Sequence, residues 1–249
     1  MPRRAALPVL LALSALALAR PASAAPQDGR FWFYGAGNLQ LSPSWSLSLI
    51  PGMRYEMART EGPAKGHYLD ELFFGPTWSA RAGDFGFSVS AWYYFLGFPR
   101  PGLYPLAHNL ELVPTADWRY GPLDLSLRVI LHNAFYASVY PAGRRFGLGT
   151  VMRDLLQARY AVAHGLSLLL GVEPWFGLVE NPGTPFDPAG YWQAGLRLNR
   201  FNAGLDFRLE GGLSVTPQYL FETVFDARGN PAEIGHYAFV TVGYSFKAY

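Results

Sequence analysis

From residue 31 onward the chain alternates large apolar with small or polar side chains in runs of nine or more residues. A two-residue period marks extended strands whose two faces meet different surroundings, because successive side chains point to opposite sides. In one segment Trp45, Leu47, Leu49, Met53, Tyr55 and Met57 share one parity, while Ser46, Ser48, Gly52, Arg54 and Glu56 share the other. The rows Phe85, Phe87, Val89, Ala91, Tyr93, Phe95 and Leu123, Leu125, Leu127, Val129, Leu131 and Leu166, Leu168, Leu170, Val172 repeat it. Opposite them stand Ser88 and Ser90, then Asp124, Ser126, Arg128 and His132, then Ser167, Gly171 and Glu173. A soluble sandwich would bury the same apolar rows in a core. Length separates the two solutions: segments of 11 to 15 residues suit a tilted membrane strand of roughly 9 to 11 plus its extensions, whereas soluble strands average about 5 to 6.

The chain opens with Arg3 and Arg4, an apolar run from Ala5 to Ala19, and Pro21-Ala22-Ser23-Ala24, which places small residues where a signal peptidase cuts. About 15 apolar residues fall short of the roughly 20 that a spanning helix needs. The expectation is a cleavable signal peptide over 1–24 and one barrel domain over 25–249. Loss of Arg3, Arg4 and Arg20 takes the formal charge from +2 to −1, so the basic balance belongs to the leader. With no Lys/Arg run in the remainder, no nucleic-acid partner is expected.

Cysteine is absent, which removes disulfides, thiol catalysis and cysteine-ligated metals. Aromatic residues make up 16% of the chain, and Tyr and Trp favour belts where hydrocarbon meets water. After the leader no apolar run reaches helical spanning length, so any crossing of a membrane is made by strands whose hydrogen-bond ladders close on themselves.

Strand-like segments fall at 31–41, 45–57, 68–80, 85–97, 107–119, 122–136, 150–162, 165–178, 190–209, 212–225 and 236–247, with tight turns at Ser42-Pro43-Ser44, Ala82-Gly83-Asp84, Gly121-Pro122, His164-Gly165 and Gly211-Gly212. Single-chain bacterial barrels have even strand numbers, and eleven segments do not put both ends on one side. Within 190–209 the apolar parity is even at Ala194, Leu196 and Leu198 and odd at Phe201, Ala203, Leu205 and Phe207. A two-residue turn at Asn199-Arg200 gives twelve antiparallel strands, the favoured count. A β-bulge flips parity as well and gives ten, with 31–41 packed elsewhere. Pro51, Pro76, Pro114, Pro174 and Pro217 sit inside segments on the outward parity, where proline normally marks a kink or an edge.

The last segment, Tyr237-Ala238-Phe239-Val240-Thr241-Val242-Gly243-Tyr244-Ser245-Phe246-Lys247-Ala248-Tyr249, resembles the C-terminal signal of outer-membrane proteins. In that signal alternating apolar residues end on an aromatic one. Here Phe246 keeps the outward parity and Tyr249 does not. The hairpin rhythm from Leu198 to Leu209 and on through Leu213-Ser214-Val215 resembles uncharacterised outer-membrane barrel families. The resemblance implies an outer-membrane location, lipids as surroundings and the barrel-assembly machinery as a partner. It brings no catalytic residues and leaves the oligomeric state open.

The inward parity collects Arg54, Glu56, Glu71, Glu111, Asp117, Arg119, Asp124, Arg128, His132, Arg153, Gln157, Arg159, Glu173, Arg197, Asp206, Arg208 and Glu222. Such groups must pair or meet water, since burial unpaired costs several kcal/mol each. Two readings stand: a neutralising network filling a narrow lumen, and a polar path for small solutes. The five histidines form no His-x-x-x-His pair, and no metal or cofactor is expected. A barrel enzyme acting on lipid or peptide is the alternative function. It would need Ser, His and acid groups to converge, and His67 with Asp70 or His132 with Asp154 are the nearest candidates; no residue is assigned a catalytic role.

Overall fold

Eleven strands close the wall, and the strand count of the sequence reading needs correcting. The computed structural model describes residues 25–99, 106–139, 143–179, 194–226 and 228–248, with the side chains of 134–139, 143–149 and 179 left undescribed. The expected signal peptide, 1–24, lies outside the described residues. The strands are β1 Gln27–Gln40, β2 Trp45–Arg59, β3 Gly66–Ala82, β4 Phe85–Gly97, β5 Leu106–Tyr120, β6 Leu123–Val139, β7 Gly143–Ala163, β8 Leu166–Val179, β9 Gly195–Arg208, β10 Leu213–Phe225 and β11 Pro231–Lys247. Each pairs antiparallel with its neighbour in sequence, and β11 returns to β1 to complete a closed barrel.

In an antiparallel succession the first and eleventh strands run in the same direction, so the closing pair is parallel. Fourteen residue pairs form this seam, from Gln27↔Ile234 to Gln40↔Lys247. The sequence argument for an even number required both ends at one rim. The barrel instead places the start of β1 and the end of β11 at opposite rims. A cysteine pair at Phe33 and Val240, which are direct seam partners, is expected to oxidise to a disulfide. Neighbouring strands lie about 4.8 Å apart, within the roughly 4.4–6.8 Å Cα spacing a disulfide spans. Oxidation would then hold the termini together after a single proteolytic cut in the chain, as read on a denaturing gel. Failure to cross-link would contradict the parallel closure.

The proposed turn at Asn199-Arg200 is not there. β9 runs unbroken, and the parity change comes from a bulge: Trp175 pairs with Leu198 and Phe176 with Leu196, leaving Arg197 as the extra residue. Leu198 therefore faces inward, fully buried, rather than outward. Arg197 donates to the backbone carbonyls of Ala194 and Asp226, the latter at 3.0 Å, which ties the bulge to the β10–β11 link. That link is ordered by Asp226. Its carboxylate accepts the backbone N–H groups of Arg228 and Asn230, both at 2.8 Å. These bonds, that from Asn230 foremost, hold it below the usual carboxylate range.

The five strand prolines each open a two-residue gap in one ladder and leave the other intact. Pairing between β1 and β2 stops at Tyr34↔Gly52 and resumes at Gly37↔Leu49, around Pro51. Corresponding gaps lie at Pro76 against β4, Pro114 against β6, Pro174 against β7 and Pro217 against β9. Proline has no N–H to donate, so only the neighbour on that side loses a bond, and the strands continue through all five.

Short connections gather at one rim, where Gly83 and Gly121 adopt positive φ of 58° and 57°, a conformation their two-residue turns require and side chains resist. Outside the wall, Trp45, Leu49, Met53, Phe74, Phe87, Leu110, Leu112, Leu127, Leu156 and Leu168 are all more than a third exposed. Inside, Trp32, Tyr34, Leu220 and Tyr237 form an apolar cluster with Ile50, Phe73 and Phe239 packed against it. Gly52 leaves room for the Tyr34 ring to lie across its backbone, where any Cβ would collide with that ring. The ring thereby covers a bare stretch of strand and aims its hydroxyl into the lumen.

Candidate functional site

Alternation on eleven strands sends one set of side chains into the bore, and there the charged residues join into a belt that crosses it. His132 Nδ1 lies 2.8 Å from Glu111. Glu111 is 3.5 Å from Arg153, and Arg153 holds Glu173 at 2.8 Å. Glu173 meets Arg200 at 3.2 Å, and Arg200 Nε reaches Glu222 at 2.6 Å. Glu222 also accepts the Tyr237 hydroxyl, and Arg30 donates to Tyr237 at 2.7 Å and to Asp28 at 2.7 Å. Arg30 pairs further with Glu233, and Asp28 lies 3.5 Å from Arg59. Most links step between neighbouring strands, and Glu111 to Arg153 spans from β5 across β6 to β7, so the belt braces the barrel against ovalisation.

Glu71 closes the remaining side. Its carboxylate accepts the Tyr34 and Tyr94 hydroxyls and is forked by Arg54 at 2.6 and 2.7 Å. The Arg54 guanidinium also lies 3.7 Å over the Trp32 ring. Arg200 is sandwiched between Trp175 and Trp32, 4.3 and 5.0 Å from their centroids, and Arg153 sits 4.2 Å over Trp175. Arginine suits these places because its flat face stacks while its edge donates. Glu71 is only 3% exposed and Glu222 only 1%, so their paired cations are structurally required.

From the belt toward the tight-turn rim extends a cavity of about 380 Å³. Trp32, Tyr34, Phe73, Trp92, Tyr94 and Phe239 line one side; Arg128, Arg153, Gln157 and Arg159, from β6 and β7, line another. Asn202, Thr216 and Gln218 contribute neutral polar groups, with Asn202 donating to Gln218 at 2.6 Å. Arg159 pairs with Asp206 at 3.2 Å, and Asp206 also accepts the Thr216 hydroxyl at 3.0 Å.

The sequence-selected residues thus fall into groups. Arg54, Glu71, Glu111, His132, Arg153, Glu173 and Glu222 form the belt, while Arg128, Arg159 and Asp206 belong to the cavity and its edge. Glu56 is buried near the other rim beside Arg59 and Lys65, at 3.9 and 3.4 Å. Arg197 holds a loop, and Arg208, with its side chain 59% exposed, caps Asp206 near the tight turns. Arg119 with Asp124 and Arg81 with Asp117 form ion pairs at the same rim. Sequence reasoning missed Arg200, because it was placed in a turn. It also missed Asp28 and Arg30, because β1 was started at residue 31. The parity Asp28, Arg30, Trp32, Tyr34 would have revealed both.

Of the pairs raised for an enzyme, His132 and Asp154 lie on opposite faces: His132 is in the belt, and Asp154 shares the outward parity of the exposed Leu156. His67 does bond Asp70, at 2.8 Å, but its ring stacks on the outward-parity Tyr55. Among the described residues, the Ser90 hydroxyl pairs with Thr77 and that of Ser48 with Asn38.

No family model matches the chain, and no curated protein does. Among solved structures, one described as "NanC porin structure in rhombohedral crystal form" is similar at a TM-score of 0.49 and 9% sequence identity, over 82% of this chain and 93% of that one.

Proposed function

We propose that this chain is an outer-membrane barrel of a bacterial envelope whose lumen holds small polar solutes and lets them pass. The observation that carries this is the banding of the outer surface. Toward the tight-turn rim the outside carries Trp45, Trp78, Phe85, Trp118, Tyr120, Tyr160, Tyr244 and Phe246. Toward the other rim it carries cross-strand Tyr and His pairs: Tyr55 stacked on His67, Tyr93 bonded to His108, and Tyr219 bonded to His236 at 2.7 Å. Between the bands the exposed side chains are almost all aliphatic or Phe.

On β5, His108 and Trp118 are ten residues apart, about 34 Å along a strand. At a tilt of about 40° this projects to about 26 Å, close to the roughly 25 Å apolar band of transmembrane barrels. A water-soluble monomer rarely exposes a contiguous apolar patch beyond a few hundred Å². Outer-membrane lipids are then the partner of the outer face, and β11, with Tyr244-Ser245-Phe246 at the end of its alternation before Lys247, is the segment offered to the barrel-assembly machinery. The cavity supports the solute role, since about 380 Å³ lies within the roughly 300–1,000 Å³ of small-molecule sites.

The test is extraction and conductance. Protein from the membrane fraction is expected to need detergent, to migrate faster on a gel before boiling than after, and to give discrete current steps in a planar bilayer. A chain that stays dispersed in buffer without detergent would overturn the membrane reading. A detergent-extracted, heat-modifiable barrel that gives no current would overturn passage.

A further inference from the structure

We infer that the lumen cavity is a binding site for a small organic oxyanion, a carboxylate or phosphate ester carrying a flat apolar body, with its charged head on Arg128. The inference rests on the reading of the lumen as a solute chamber and adds the chemistry of the solute.

Five guanidinium groups line the cavity, and four are already neutralised. Arg54 is forked to Glu71, Arg153 is held by Glu173 and Glu111, Arg159 by Asp206, and Arg200 by Glu173 and Glu222. Arg128 has no carboxylate within ion-pair distance and no hydrogen-bond acceptor among the described residues. Glu173 and Glu111, the carboxylates whose charge bears on it, are held by the other arginines. Arg128 is half-buried and lines the cavity, so its guanidinium is partly desolvated without a counter-charge of its own. It is also a ready fork for two oxygens of one anionic group.

Trp92 lines the cavity as well, and its indole N–H, enclosed by protein, has no acceptor. Arg128 is a pure donor, so the partner it calls for is an acceptor rather than a donor. Around them, Trp32, Phe73 and Phe239 present ring surface, which favours a flat apolar body over a bare inorganic ion. An uncharged solute would leave Arg128 uncompensated, and a cation would meet five arginines.

The test uses the full chain in maltoside micelles free of phospholipid, titrated with phenyl phosphate, inorganic phosphate, benzyl alcohol and benzylamine. Binding is followed by tryptophan fluorescence, to which Trp32 and Trp92 report from the cavity wall, and by calorimetry. Phenyl phosphate is expected to bind at least about tenfold tighter than inorganic phosphate, and the two uncharged or cationic probes at least about tenfold more weakly than phenyl phosphate, the scale of one charged hydrogen bond. Arg128→Gln should lose about tenfold or more for phenyl phosphate, and Arg128→Lys should recover part of the loss.

Equal binding of benzyl alcohol and phenyl phosphate, no binding by the heat-modifiable wild-type barrel, or an unchanged affinity in a folded Arg128→Gln variant would each overturn the assignment. If that variant does not fold, the wild-type probe series decides alone. Because the titration needs no bilayer, a barrel that binds phenyl phosphate without conducting sinks passage and leaves the site standing. A conducting barrel that ignores the anion does the reverse.

Discussion

Replacing Arg200 with methionine is expected to destabilise the barrel by about 3–5 kcal/mol, the cost typical of breaking a buried ion pair from one side. Arg200 is 5% exposed and joins Glu173 to Glu222 at the midpoint of the belt. Glu173 would keep Arg153, but Glu222 would be left with Arg30 at 3.8 Å and the Tyr237 hydroxyl. Two stacking contacts with Trp175 and Trp32 would go as well. Chemical unfolding of the purified protein in micelles reads the loss. Arg208→Met serves as the control, because that side chain is largely exposed and such substitutions usually stay within about 0.5 kcal/mol. Equal small effects at both positions would mean that the belt does not bear the strain assigned to it.

The second large effect is expected at the outer surface. Leu112 points outward from β5, 45% exposed, midway between the His108 band and Trp118. With hydrocarbon around it, Leu112→Arg should cost about 2–4 kcal/mol, measured as folding equilibrium in phosphatidylcholine vesicles. With water around it, the same change would cost less than about 0.5 kcal/mol. Tyr120→Arg, at the tight-turn rim, should be tolerated far better, since the penalty decays toward the interfaces. A flat response across the two positions would remove the bilayer from the reading.

Strand identity and facing were legible because parity is a local property: Arg54 and Met53 face opposite ways whatever their neighbours do. The seam was not legible, because nothing in β1 or β11 alone says that they lie side by side. Strand number was misjudged for a related reason. A bulge and a two-residue turn leave the same trace in parity, and only the pairing of Trp175 with Leu198 tells them apart. Among the lumen residues, charge and parity together picked out most of the belt. They did not show that, of the five arginines lining the cavity, Arg128 is the one without an ion pair among the described residues, since that depends on which acid reaches which arginine across three or four strands. Proline positions were visible in the sequence, yet their one-sided gaps depend on which neighbour each missing N–H would have faced.

The parallel seam also bears on how the wall is assembled. Ten of the eleven lateral contacts are made between strands adjacent in sequence, so each hairpin can dock on the one before it with little loop entropy to overcome. The last contact joins residues about two hundred positions apart, and until it forms both terminal strands carry a bare row of amide and carbonyl groups. Such rows recruit any strand within reach. Zipping β11 onto β1 is thus the late step of maturation, and the interval before it is when an unfinished barrel is most open to a neighbour's strand instead of its own.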